Sequence, residues 1–145
     1  MNHYKLPLDF VRIFEERPRN LSQCTEKESI DQHLELLLTT CPGEHKEDVN
    51  YGCKIWDLDF EKVVSLSKWE NSFIRYITEA ITKYEQRITD LDVRIKFYDT
   101  KKVYGFPEST SIRKRVDINI DATIISLNLK CCFFYSLYLG PLSSD

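Results

Sequence analysis

Acidic pairs are the commonest arrangement in this chain from which chemistry could be built. Glu15 and Glu16, Asp57 and Asp59, and Asp90 and Asp92 each bring two carboxyls close together in sequence. A glycosidase needs two carboxyls across a cleft, one of them kept protonated near neutral pH. No His or Cys accompanies these pairs in a recognisable constellation, and with 23 acidic residues some pairs arise by chance. The five cysteines (Cys24, Cys41, Cys53, Cys131 and Cys132) include no CxxC pair, and His3, His33 and His45 are scattered. Zinc requires clustered Cys and His ligands, so the thiols read as reduced and buried. The sequence has no GxSxG, Walker, GxGxxG or HExxH pattern. One basic run, Arg113-Lys114-Arg115, could touch phosphate, but in a chain of net charge -3 it reads as a solvated strand face or a protein contact. His33 lies beside an apolar helical stripe, which predicts a packing role.

The 145 residues are 42% hydrophobic and 30% charged, which fits one soluble globular domain and excludes wholesale disorder. With only 4 Gly and 5 Pro, phosphate-cradling loops and long linkers have little material. A secretory leader is not expected, because Asp9 and Arg12 interrupt the first apolar stretch. Residues 124–139 are too short and too polar to span a bilayer and read as strand.

Residues 1–24 are expected to form an arm, extended around Leu6, Pro7, Leu8 and Phe10, followed by the polar stretch Glu15 to Asn20. Thr25 and Glu28 have capping-box spacing, and Ile30, Leu34, Leu37 and Leu38 share one helical face up to about Thr40. The loop from Gly43 to Leu66 carries charged residues and then Tyr51, Ile55, Trp56 and Phe60, so it is pinned to a core or holds a functional surface. Ser67 and Glu70 predict a second capping box. It opens a helix whose apolar stripe runs Trp69, Phe73, Ile77, Ala80, Ile81, Tyr84 and Ile88.

The period then changes to two. Leu91, Val93, Ile95 and Phe97 mark a first strand. A loop is expected over 99–111, then a strand with Val116, Ile118, Ile120 and Ala122, and a third from about Cys131 to Leu139. The expected fold is α+β: two main helices packed on a small three-stranded antiparallel sheet, in a single domain. Cys131, Cys132, Phe133 and Phe134 put apolar groups on both faces of the last strand. That strand is therefore either central or covered, and as the last in the chain it could also lie at an edge open to another protein's strand.

The order of several short motifs resembles the phage baseplate wedge family known as GPW/gene-product-25-like, whose bacterial branch includes TssE of the type VI secretion system. These motifs are Glu28-Ser29-Ile30, Leu37-Leu38-Thr39-Thr40, Pro42-Gly43-Glu44, Tyr51-Gly52-Cys53, Asp59-Phe60-Glu61 and Tyr84-Glu85-Gln86-Arg87-Ile88. The stretch from Tyr51 to Glu61 is most similar to TssE proteins of Bacteroidetes-type systems. The resemblance covers roughly residues 5–141, with 1–24 as an N-terminal arm and 25–145 as the wedge domain.

The resemblance implies a structural, non-enzymatic role without cofactor or metal, in the cytoplasm. Partners would be the wedge proteins TssF, TssG and TssK and the sheath, whose assembly the domain would start through a strand contact, with no nucleic acid and no membrane insertion. It also implies that Glu85, Gln86, Arg87, Glu44, Tyr51 and Gly52 belong to the assembly motif. The family has Pro where this chain has Gln86, so the helix is expected to run a few residues further. Glu85 and Arg87, two apart on a helix, are then expected to bond elsewhere, in the loop of residues 43–60 or in a partner. The alternatives are a lysozyme-like peptidoglycan hydrolase and a phage tail baseplate protein.

Overall fold

The computed structural model describes residues 3–14, 21–58, 66–104 and 109–139. The polar stretch from Glu15 to Asn20, the motif Asp59-Phe60-Glu61 and the Gly140-Pro141 stop lie outside them. Two short strands, β1 (His3–Tyr4) and β2 (Gln23–Cys24), pair antiparallel and close the N-terminal arm on itself. Phe10–Ile13 is a turn of 3-10 helix instead of extended chain. The arm leans on the first helix, where Gln32 Oε1 accepts from the Leu6 N–H at 3.0 Å.

Helix α1 (Glu26–Thr39) starts with the expected capping box. Thr25 Oγ1 accepts from the Glu28 N–H at 3.2 Å, and Glu28 Oε2 accepts from the Thr25 N–H at 2.8 Å. Ile30, Leu34, Leu37 and Leu38 are fully buried, one face at spacings of three and four. Helix α2 (Leu66–Tyr84) buries Trp69, Phe73, Ile77, Ala80 and Ile81 on a similar stripe. Its first residue precedes Ser67, so Ser67 is helical and does not open the helix.

The sheet is antiparallel in the order β3 (Ile88–Tyr104), β4 (Ser109–Ile124), β5 (Leu129–Leu139). The first two strands are longer than their hydrophobic alternation. Pairing continues from Thr100 opposite Arg113 to Tyr104 opposite Ser109, through residues expected to form a loop. The reason is general: ladder hydrogen bonds are made by the main chain, so a ribbon extends beyond the segment that buries side chains. A bulge between Thr89 and Asp92, with Asp90 at φ 53°, lets β3 leave the helix end and still keep register. Asn128, at φ 48°, closes the β4–β5 hairpin.

Val116, Ile118, Ile120, Ala122 and Ile124 of central β4 form the floor of the core. Both helices lie on this face, α1 against β5 and α2 against β3, and they also touch each other. Trp69, Phe73 and Phe97 meet with centroids 4.3 to 5.8 Å apart and join α2 to β3. Among the described residues the last strand is an edge. Cys131, Phe133, Tyr135, Leu137 and Leu139 point into the core, whereas Cys132, Phe134 and Tyr138 are exposed on the opposite face.

Candidate functional site

The site is the three-residue turn between α2 and β3, and α1 is the element that holds it. Glu85 N–H still donates to the Ile81 carbonyl at 2.8 Å, so the last helical bond is made just past Tyr84. The chain then turns through Gln86 and Arg87, and the Arg87 carbonyl accepts from the Ile125 N–H at 2.9 Å, tying the turn to the β4–β5 hairpin. Gln86 therefore does not prolong the helix. The turn forms without proline because the Glu85 side chain captures the Arg87 backbone N–H at 3.2 Å.

Glu85 and Arg87 also pair with each other, contrary to the expectation for two helical residues. Arg87 Nε donates to Glu85 Oε1 at 2.8 Å and Nη2 to Oε2 at 2.7 Å, a two-pronged contact. The reversal of direction in the turn makes it possible: off the helix, side chains two apart can face one another. Two residues of α1 complete the arrangement. Ser29 Oγ accepts from Arg87 Nη1 at 2.9 Å, and His33 Nδ1 lies 2.7 Å from Glu85 Oε2.

Glu85 is only 3% exposed. Burial alone would raise its carboxyl, but the hydrogen bonds from Arg87 and His33 outweigh that and hold it down at about 2. An ionised carboxylate only accepts, so His33 carries a proton on Nδ1. His33 is thus a polar ligand of the turn as well as a packing residue.

Tyr51 brings the preceding loop to this cluster. Its ring stacks on His33 with centroids 6.1 Å apart and meets Tyr84 edge-on at 4.9 Å. Burial, followed by the charge on Glu85, pushes the Tyr51 hydroxyl up. Gly52 has a local reason to be glycine: φ is +130° and a Cβ would come within 2.6 Å of the Thr40 carbonyl. That closeness lets the Cys53 N–H donate to Thr40 O at 3.0 Å, while Trp56 Nε1 donates to Leu38 O at 2.8 Å. The loop thereby satisfies carbonyls that the end of α1 leaves free. Glu44 is exposed and caps its own turn, accepting from the Cys41 N–H at 3.1 Å.

Of the six expected motif residues, Glu85, Arg87 and Tyr51 thus converge. Gly52 shapes the loop beneath them, Glu44 stands apart, and Gln86 is exposed at the tip of the turn. Ser29 and His33 are the contributors that sequence reasoning did not assign. Their spacing of four on α1 places both on one face, and that is the signal that could have found them.

The chemistry available is that of a fixed ion pair. Glu28 and Glu85 both sit below the usual carboxylate range, the wrong direction for a general acid. Among the described residues no grouping of His, Cys, Asp and Glu could hold a metal ion. Of the basic run, Arg115 pairs with Asp117 at 3.3 Å and lies over the Tyr98 ring, and Lys114 lies over Trp69. No helix among the described residues is long and apolar enough to cross a membrane.

The family described as baseplate wedge protein gp25 matches residues 24–128, from the strand before α1 through the β4–β5 hairpin turn. The chain belongs to this family. The Glu85–Arg87 turn, α1 and the loop that carries Tyr51 all fall inside the matched wedge region. A Geobacter sulfurreducens protein with the provisional name tail lysozyme has a similar fold, with TM-score 0.62 and 22% identity over 86% of this chain and 100% of that one. A chain of a type VI secretion system baseplate complex aligns with TM-score 0.49 and 16% identity over 77% of this chain and 92% of that one. No curated protein matches the chain significantly.

Proposed function

We propose that this protein is a structural wedge subunit in the baseplate of a contractile injection machine, a TssE-like component of a type VI secretion system. It would work in the cytoplasm beside TssF, TssG, TssK and the sheath, starting sheath assembly through a strand contact and catalysing no reaction. The observation that carries this reading is membership of the wedge family over most of the chain, joined to an edge strand whose outward Phe134 and Tyr138 are uncovered by the described residues. Addition of a partner strand would satisfy the open main-chain edge of β5, with side-chain contacts giving register. The Glu85–Arg87 turn would fix the angle at which α2 delivers the chain to the sheet, and Gln86 and Glu44 are the motif residues left exposed for wedge partners.

A tagged pull-down from the native cell with mass spectrometry tests the reading. Recovery of sheath and wedge proteins supports it. Recovery of none, or release of peptidoglycan fragments by the purified protein that a single Glu or Asp substitution abolishes, overturns it in favour of an unrelated adaptor or a hydrolase.

A further inference from the structure

One main-chain edge of β5 faces away from β4. Phe134, Tyr135, Ser136 and Leu137 line one cavity of about 240 Å³. Consecutive strand residues point to alternate faces, so a cavity lined by all four runs along the strand edge, where main-chain N–H and C=O groups are presented. The opposite wall is α1, through Asp31, Glu35, Leu38 and Thr39. Asp31 Oδ1 accepts from the Tyr135 hydroxyl at 2.6 Å and anchors helix to strand. The groove therefore holds two exposed carboxylates, Asp31 and Glu35, and among the described residues none that lines it is basic. The same carboxylates act on Tyr135, whose hydroxyl is pushed up by burial and then by Asp31 and Glu35.

The outward face of the sheet differs from strand to strand. On β3 and β4 it is largely ionic, with Arg94 paired to Asp121 and Arg115 to Asp117. On β5 it carries Phe134 and Tyr138, each 57% exposed. A strand added beyond β5 would thus have acid on one side and aromatic rings on the other.

We infer that β5 accepts one extended segment of a partner protein, with Lys or Arg at alternate positions facing Asp31 and Glu35 and apolar residues at the intervening positions packed on Phe134 and Tyr138. This rests on the strand-contact reading above and adds the chemistry of the strand. A second copy of this chain does not fit. Edge-to-edge pairing of two β5 strands about a two-fold axis would put both pairs of carboxylates on one seam, where like charges repel.

The test uses the full chain and two synthetic peptides, one alternating Val and Lys, the other Val and Glu. Fluorescence anisotropy reads binding, and hydrogen exchange of residues 129–139 reads its location. The Val–Lys peptide is expected to bind and slow exchange in β5, and the Val–Glu peptide is not. The double variant Asp31→Asn, Glu35→Gln should weaken Val–Lys binding about five-fold at low salt, and less at high salt. Asp31→Asn keeps the side-chain acceptor for the Tyr135 hydroxyl and Glu35 makes no bond to it, so the fold survives, which unchanged thermal unfolding checks.

Equal binding of both peptides overturns the charge rule and leaves strand contact standing. Binding without protection of β5, or β5 protection that grows with protein concentration in the absence of peptide, overturns the assignment of the groove. The sheath pull-down reports separately on the underlying reading: sheath recovery with no Val–Lys binding sinks this inference alone.

Discussion

Replacing Arg87 with alanine isolates what holds the α2–β3 turn together. The substitution deletes two charge-assisted bonds to Glu85 and one to Ser29. It leaves a carboxylate 3% exposed with only His33 and the residue-87 backbone N–H as donors. Breaking a buried ion pair from one side costs about 3–5 kcal/mol. Because the Arg87 side chain is 30% exposed, water replaces part of its role, and a loss of about 2–3 kcal/mol is expected. Urea unfolding at neutral pH measures it as a lower midpoint with unchanged slope.

The pH dependence supplies a second check. The Glu85 carboxyl is held at about 2 in the folded chain, against roughly 4.3 when unfolded. Between those values the unfolded state binds more protons, so the stabilisation is complete above the unfolded value and is lost as pH falls towards the folded one. The shift corresponds to about 3 kcal/mol. In Arg87→Ala most of the depression disappears, so the gap between the two proteins should narrow on acidification. A variant as stable as wild type at pH 7, or a gap that widens in acid, would refute the account of Glu85 as a captured carboxylate.

Three further outcomes test the supporting shell. Gly52→Ala should destabilise the protein by about 1–3 kcal/mol, since φ +130° and the Thr40 carbonyl both oppose a Cβ; thermal unfolding measures this, and an unchanged midpoint would contradict the geometry. Trp56→Phe removes the indole bond to Leu38 O and should cost about 1 kcal/mol in urea unfolding, with hydrogen exchange accelerating first in residues 43–58. Cys53 is fully buried and its thiol is pushed up to about 11, so a thiol reagent at pH 8 should leave it unlabelled until the chain is denatured; native-state labelling of Cys53 would show that the loop opens.

Elements that announce themselves through side-chain periodicity were legible in the sequence: α1 with its Thr25–Glu28 box, the α2 stripe and the alternation from Leu91 to Phe97. The α+β arrangement, two helices on a three-stranded antiparallel sheet, followed from them. The features that sequence missed are those made by the main chain or by distance. The ladder beyond Tyr98 depends on backbone pairing, which leaves little mark on residue type. Helical spacing correctly forbids an i, i+2 contact, but it cannot register that the helix has already ended at Tyr84. His33 and Ser29 lie more than fifty positions from the turn they hold, as the sequence separations of 52 and 58 to Glu85 and Arg87 measure. No local pattern reports such a contact. For Gly52 the residue type was noted, but its cause, the nearby end of α1, appears only in three dimensions.

The capture of Glu85 by its own chain changes what an assembly defect would mean. If Arg87 reached into a wedge partner, losing it would weaken docking and leave the isolated subunit intact. Arg87 instead directs its donors to Glu85 and Ser29, so its loss should loosen the joint through which α2, α1 and the β4–β5 hairpin meet, and a docking defect is expected only through a shifted sheet. Arg87→Lys separates the two cases. A lysine keeps the positive charge but cannot make the two-pronged contact. It should therefore lower the stability of the free subunit by about 1–2 kcal/mol, since one charge-assisted bond to Glu85 replaces two and the bond to Ser29 is lost. A sheath-assembly defect of Arg87→Lys that tracks this stability loss, and that recovers at lower temperature, places the residue inside the fold. A full assembly defect in a variant as stable as wild type would place it in the interface instead.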